Sequence, residues 1–157
     1  MIPQVLATDL DGTLIPLDGN AQNVHDLQQI GEHLSQSGMQ MLYVTGRHLS
    51  SILGVMTGKS LPQPDWIIGD VGTSIYRRES SRETSHSGLS ATCADTVSSY
   101  TLDGNYVEHL RELVGNFSVA RLAGCLKPIG ELRLQEPEKQ TPFKLSYYID
   151  HAVRSAA

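Results

Sequence analysis

Two aspartates separated by one residue are the first feature of the sequence that could do chemistry. Asp9 and Asp11 follow a short apolar run, Val5 to Thr8, and Gly12 after them permits a tight turn. Two carboxylates held close together repel, so one of them needs a cation or a proton. Mg²⁺ meets that need, because it prefers oxygen ligands and keeps room for waters and a phosphate oxygen. The alternative is that both are turn-forming residues bonded to their own backbone.

If the two acids act on a phosphorus atom, each can take a different catalytic role. Asp9 could attack phosphorus as a carboxylate nucleophile. Asp11 could hold a proton for the leaving group and later activate water. These roles would place phosphoryl chemistry at the end of the first strand, with turn formation as the alternative.

Apolar periodicity predicts the elements that must position these acids. We expect strands at residues 5–8, 39–44 and 66–68, and helices at residues 21–37 and 48–56. Val24, Leu27, Ile30 and Leu34 should form the packing face of the first helix. A strand-helix-strand-helix-strand order indicates an α/β fold with parallel strands and right-handed crossovers. Ligands bind beyond the carboxyl ends of such strands, so Asp9, Thr45 and Asp70 should approach one crevice.

The second half of the chain differs in composition. Residues 77–101 are rich in Ser and Thr, which predicts a hinge into a second unit. That unit should contain a helix at 106–114, strands at 119–122, 130–134 and 143–149, and a last helix after the N-cap Asp150.

Composition excludes several classes of function. The chain has 157 residues, about one domain, and a net charge of −5, which argues against nucleic-acid and membrane-surface binding. No apolar run is long enough to cross a bilayer, and Asp9 comes too early for a signal peptide. Cys93 and Cys125 lack paired-motif spacing, which favours free thiols in a reducing cytoplasm. The six His residues show no metal-ligand spacing.

The segment Asp9-Leu-Asp-Gly-Thr-Leu resembles motif I of the haloacid dehalogenase (HAD) superfamily of phosphotransferases. An acid at the position of Asp11 is similar to the phosphatases and mutases of that superfamily. Val44-Thr-Gly-Arg47 resembles motif II, whose Thr binds the transferring phosphoryl group. The segments 70–76 and 140–150 resemble the sucrose-phosphatase branch, which also occurs as the terminal domain of sucrose-phosphate synthases.

The resemblance implies an α/β, HAD-like Rossmannoid core at residues 1–78 and an α+β cap at 79–157, inserted after the third strand. It implies Mg²⁺-dependent hydrolysis of a sugar phosphate, with sucrose 6-phosphate as the first candidate, through an aspartyl-phosphate on Asp9. Asp11 would be the acid/base, and the Asp9 carboxylate and the Asp11 carbonyl would hold Mg²⁺. The phosphate and substrate residues that it implies are Thr45, Gly46, Gly72, Thr73 and Lys144, with Ser146 as a further specificity candidate.

The sequence departs from the superfamily in its later motifs. A motif III Lys and a motif IV acidic pair would follow the cap, and none of the four lysines (Lys59, Lys127, Lys139, Lys144) follows the expected core strand. These groups supply electrostatic stabilisation, so we expect this chain to be nearly inactive alone. Strand 5–8 would also lack a neighbour on one side, which predicts self-association or a need for a missing C-terminal half.

Several interpretations remain open at this level. The chain could be a non-catalytic sugar-phosphate-binding module or an inactive fragment, and a phosphomutase would use the same acid pair. Arg47 could be a helix-start residue or a substrate ligand, and Asp70 could cap its loop or act in the site. Lys144 could be a solvated strand residue or a sugar contact.

Overall fold

The computed structural model describes residues 4–15, 21–79 and 99–149, which fall into two compact units. The first unit runs to Asp103 and the second begins at Gly104. The first unit contains β1 (Val5–Thr8), α1 (Ala21–Ser37), β2 (Gln40–Val44), α2 (Leu49–Lys59), β3 (Trp66–Gly69), β4 (Ser74–Arg78) and β5 (Tyr100–Leu102). The division into a core at residues 1–78 and a cap at residues 79–157 stays a prediction.

The first unit is built on a five-stranded sheet in the order β1-β2-β3-β4-β5. β1, β2 and β3 run parallel, and β4 and β5 continue the sheet in antiparallel pairs. The two helices α1 and α2 connect the parallel strands, as the strand-helix order predicts. The carboxyl ends of β1, β2 and β3 therefore lie along one edge of the sheet.

One face of this sheet carries the hydrophobic core. Met41 and Tyr43 of β2 and Ile67 of β3 are buried there, and the alternation of a strand explains why their neighbours are not. The helices contribute Leu34, Ile52 and Met56 to the core, and Leu27, Ile30, Leu49 and Leu53 pack against it.

Val24 does not join the core, although its spacing predicts it on the packing face of α1. Its side chain is 57% exposed. Val24 lies one turn before Leu27, near the start of the helix, and the packing face begins only with Leu27.

The opposite face of the sheet is apolar and more open. Val5 is 53% exposed and Val44 is 42% exposed. Register places Leu42 beside Trp66 and Val44 beside Ile68 on this face. These strands therefore carry apolar residues on both sides, which is the pattern of parallel strands covered on both faces.

The second unit contains α3 (Gly104–Val114), α4 (Val119–Leu126), β6 (Leu132–Leu134) and β7 (Tyr147–Ile149). β6 and β7 form an antiparallel pair. The predicted strand at 119–122 is wrong, because these residues begin a helix. Ser118 caps that helix by accepting a hydrogen bond from the Arg121 N–H (3.3 Å), and the apolar spacing Val119, Leu122, Leu126 continues past the predicted segment.

The last predicted strand, 143–149, is shorter in the structure. Thr141 and Lys144 exchange backbone hydrogen bonds of 3.1 and 3.3 Å, which closes a tight turn. The Gln140 side chain then accepts the Ser146 N–H at 2.8 Å and donates to the Ser146 carbonyl at 3.1 Å. Backbone pairing therefore extends only to Ser146, whose carbonyl accepts the Gln135 N–H at 2.9 Å. The predicted helix after Asp150 lies outside the described residues.

Within the described residues, no helix is both long and apolar enough to cross a membrane. Cys125 is a free, exposed thiol, as expected, and Cys93 lies outside the described residues.

Candidate active site at the carboxyl edge of the sheet

The loop after β1 presents the two acids on either side of a buried anchor. Leu10 is fully buried, whereas Asp9 and Asp11 are exposed. The Ile15 N–H donates to the Leu10 carbonyl at 2.7 Å, and the Gly12 N–H donates to the Ile15 carbonyl at 2.8 Å. Gly12 adopts φ 77°, a conformation that favours glycine. The sequence thus folds into a turn that fixes the backbone of both acids.

Thr45 lies directly after β2, on the same edge as the acids. Its side chain is buried, and its N–H donates to the Ile68 carbonyl of β3 at 2.9 Å. Its hydroxyl oxygen accepts the Arg47 N–H at 3.3 Å. Gly46 follows it at an exposed position. The loop therefore holds Thr45 at a fixed place at the end of the strand.

Arg47 joins the two loops through a bidentate ion pair with Asp11. Its Nη2 donates to Asp11 Oδ1 at 2.6 Å and its Nε to Asp11 Oδ2 at 2.8 Å. Its Nη1 donates to the Ser51 hydroxyl at 2.9 Å, which ties the guanidinium to α2. The Arg47 hydrogen bond lowers the pKa of the Asp11 carboxyl below its ordinary value. Sequence reasoning missed this contact, because the two residues are 36 positions apart and no local pattern signals it.

The loop after β3 packs on the Arg47 backbone. The Asp70 N–H donates to the Arg47 carbonyl at 2.9 Å. A Cβ on the preceding Gly69 would come within 3.1 Å of the same carbonyl oxygen, so glycine allows this close approach. Asp70 is buried, and its carbonyl accepts both the N–H and the hydroxyl of Thr73. The segment 70–73 is therefore a rigid connection at the same edge as Thr45.

The structure brings most of the sequence-predicted residues to one edge of one sheet. Asp9, Asp11, Thr45 and Gly46 follow β1 and β2, and Gly72 and Thr73 follow β3. Lys144 belongs to the second unit, in the turn before β7. The roles of all seven residues stay predictions.

The oxygen atoms at this edge of the sheet suit a hard cation that keeps some of its bound water molecules. Among the residues that the structure describes, no three His, Cys, Asp or Glu side chains gather as a metal site. Mg²⁺ is commonly bound by one or two carboxylates plus waters and substrate phosphate. Arg47 occupies both oxygens of the Asp11 carboxylate. The Asp9 carboxylate and the Asp11 carbonyl, which the motif I resemblance implies as Mg²⁺ ligands, stay a prediction.

Comparison with known proteins identifies the class. A protein of Nitrosococcus oceani described as a HAD-like hydrolase is 32% identical over 144 residues, which are 92% of this chain and 34% of the relative. The sucrose-phosphatase of Synechocystis sp. PCC6803, solved with sucrose and phosphate, has the same fold with a TM-score of 0.67 and 24% identity. That match covers 96% of this chain and 50% of the solved chain. The fold class is therefore HAD-like, as the motifs predicted.

A family model described as sucrose-6F-phosphate phosphohydrolase matches residues 2–90 and 90–157, and the chain belongs to that family. The mannosylfructose-phosphate phosphatase of Agrobacterium fabrum is 24% identical over 155 residues, covering 98% of this chain and 52% of the relative. The chain thus spans between one third and about half of the length of these relatives.

Proposed function

We propose that the protein is a Mg²⁺-dependent phosphatase that hydrolyses the phosphate monoester of a sugar. The observation that carries the proposal is the arrangement of Asp9, Asp11 and Thr45 in two adjoining loops at the carboxyl edge of a parallel sheet. Family membership supports the phosphatase class. The names of the relatives, one a sucrose-phosphatase and one a mannosylfructose-phosphate phosphatase, support a sugar phosphate as substrate.

In the proposed reaction, an Asp9 carboxylate oxygen attacks the phosphorus atom, and the bond from phosphorus to the sugar oxygen breaks. Asp11 gives its proton to that leaving oxygen. Asp11 then takes a proton from a water molecule, which attacks the phosphoryl group, and the bond to Asp9 breaks to release inorganic phosphate. Mg²⁺ held by the Asp9 carboxylate and the Asp11 carbonyl would neutralise phosphate charge.

The remaining residues bind and orient in this proposal. The Thr45 hydroxyl and the Gly46 backbone hold the phosphoryl group, and the backbone of Gly72 and Thr73 lines the pocket. Lys144 of the second unit contributes to sugar recognition. Because a carboxylate paired with a guanidinium has no proton to give, Asp11 must leave Arg47 before it can act as an acid.

The experiment measures phosphate release from sucrose 6-phosphate by the intact polypeptide that contains this chain, with and without Mg²⁺, because the chain alone is expected to be nearly inactive. We expect Asp9→Asn to lower turnover by about 10³-fold or more, because the amide cannot attack phosphorus. Asp26→Asn is the matched control, since Asp26 is an exposed acid on α1 whose carboxylate accepts a hydrogen bond from the Gln22 side chain at 2.9 Å. Turnover by Asp9→Asn equal to that of Asp26→Asn would contradict the proposal. Binding of sucrose 6-phosphate without turnover by the intact polypeptide would favour a binding module instead.

Two finer properties belong to the same proposal. Sucrose 6-phosphate is the first substrate to test among sugar phosphates, and kcat/KM compared across them decides the choice. A cytoplasmic location, expected from the free thiols, stays a prediction.

A further inference from the structure

We propose that Val71 is a specificity-determining residue, whose isopropyl group contacts the carbon skeleton of the sugar phosphate bound beside Thr45 and Gly46. This inference rests on the proposed function. The juxtaposition that supports it is a strained, exposed valine held against the loop that follows β2.

Val71 has a backbone conformation that valine rarely adopts. Its φ is 59° and its ψ is 36°, in the left-handed region that a β-branched side chain disfavours. Gly72 follows with φ 85°, and the Thr73 N–H donates to the Asp70 carbonyl at 3.3 Å. Two central residues with positive φ inside such a bond describe a type I′ turn. The first central position of that turn normally holds Asn, Asp or Gly, so valine there is costly to stability.

Packing does not explain why this position holds valine. The side chain is 75% exposed, so it buries little apolar surface in return for the strain. Strained backbone of this kind persists where the surrounding structure fixes it, and it clusters at sites of function. The neighbouring bonds from Asp70 and Thr73 supply that fixation.

The position of Val71 connects it to the candidate site. Its Cγ2 lies 3.7 Å from where a Cβ on Gly46 would stand, so the valine methyl lies beside the backbone that follows Thr45. The turn is also bonded to the Arg47 carbonyl through Asp70. An isopropyl group offers a phosphate neither charge nor a hydrogen bond, whereas the C–H faces of a sugar ring can pack on it. The chemistry therefore favours the sugar part of the substrate as the contact.

The experiment compares Val71→Gly and Val71→Asn with the unmodified chain. Both replacements suit the turn, so we expect each to raise the melting temperature without ligand by about 2–6 °C. With Mg²⁺ present, calorimetry should show sucrose 6-phosphate binding weakened by about 5- to 20-fold, and inorganic phosphate binding unchanged within about twofold. Val24→Ala, which trims another exposed valine, should leave the affinity for both ligands as it is.

Each other outcome counts against the inference. An unchanged affinity for sucrose 6-phosphate, or an equal loss of affinity for both ligands, would show that Val71 does not contact the sugar part of the substrate. A fall in melting temperature for both variants would show that valine is not strained in the turn. If the unmodified chain binds sucrose 6-phosphate and only the Val71 result is negative, the proposed function stands; if it binds neither ligand, both fall.

Discussion

The contact between Arg47 and Asp11 illustrates what single residues contribute to this site. Asp11 and Thr45 can be found from the sequence, because each directly follows an apolar strand and carries a group suited to phosphate chemistry. The partner of Asp11 cannot be found that way. Arg47 reaches it only because β1 and β2 are parallel neighbours whose carboxyl-end loops adjoin. An ion pair that depends on which strands are neighbours in the sheet cannot be recognised from the spacing of residues along the chain.

The charged cluster on the second unit allows a prediction about pH. The Tyr148 hydroxyl donates to Glu136 at 2.8 Å, and Lys139 Nζ lies 2.9 Å from the same carboxylate. The hydrogen bond from Lys139 lowers the pKa of Glu136 most, and a backbone hydrogen bond and the Tyr148 hydroxyl lower it further, to about 2. A lowered carboxyl pKa stabilises the folded chain above the ordinary value and loses that effect as pH falls toward the folded value.

We therefore expect Glu136→Gln to be less stable than the unmodified chain at pH 6 and equally stable near pH 2. The difference should fade between about pH 4.5 and 2. Urea unfolding across this range measures it. Glu138→Gln in the same turn is the control, because Glu138 is an exposed acid outside this cluster. A Glu136→Gln deficit that stays constant down to pH 2 would contradict the prediction.

Among the secondary-structure elements, the free edge of β1 has a direct consequence for association between chains. Among the described residues it pairs only with β2, so its other edge carries backbone groups without a strand partner. The open face of the sheet carries a groove of about 340 Å³ that runs from β1 to β4, and its apolar lining residues include Val5, Leu42, Trp66, Ile68 and Ile75. Exposed apolar surface next to a strand edge favours association.

We expect this chain, expressed alone, to self-associate at micromolar concentration. Val5→Lys should reduce the association, because a lysine on an edge strand opposes pairing. Light scattering after size exclusion measures the mass. Val24→Lys is the control, since Val24 is equally exposed but lies on α1. A monodisperse monomer of the unmodified chain that unfolds cooperatively would contradict the expectation.

The same scale shows where sequence patterns suffice and where they do not. The long helix α1 has the predicted bounds, because seventeen residues give its periodicity room to be recognised. The prediction of a strand at residues 119–122 is wrong, because four apolar-rich residues do not distinguish the strand period from the helix period. The signals that identify the helix are the N-cap Ser118 and the apolar spacing that continues to Leu126.

For the whole molecule, the fold class was predictable and the turn at Val71 was not. Alternating strands and helices with acids after the first strand fix the parallel order, and the structure has that order. Valine at 71 gives no signal of a type I′ turn, because it is a residue that such turns avoid. Local rules fail there because tertiary contacts to the Arg47 loop impose the backbone.

The proposal that Asp9 is the nucleophile of a phosphatase site is tested most directly by a crystal structure of the protein soaked with Mg²⁺ and beryllofluoride, a mimic of a phosphoryl group. We expect beryllofluoride on an Asp9 carboxylate oxygen, close to the Thr45 hydroxyl, with Mg²⁺ on the Asp9 carboxylate and the Asp11 carbonyl. A structure with no beryllofluoride at Asp9, or with the Asp9 side chain directed away from Thr45 in well-defined density, would contradict the proposed site.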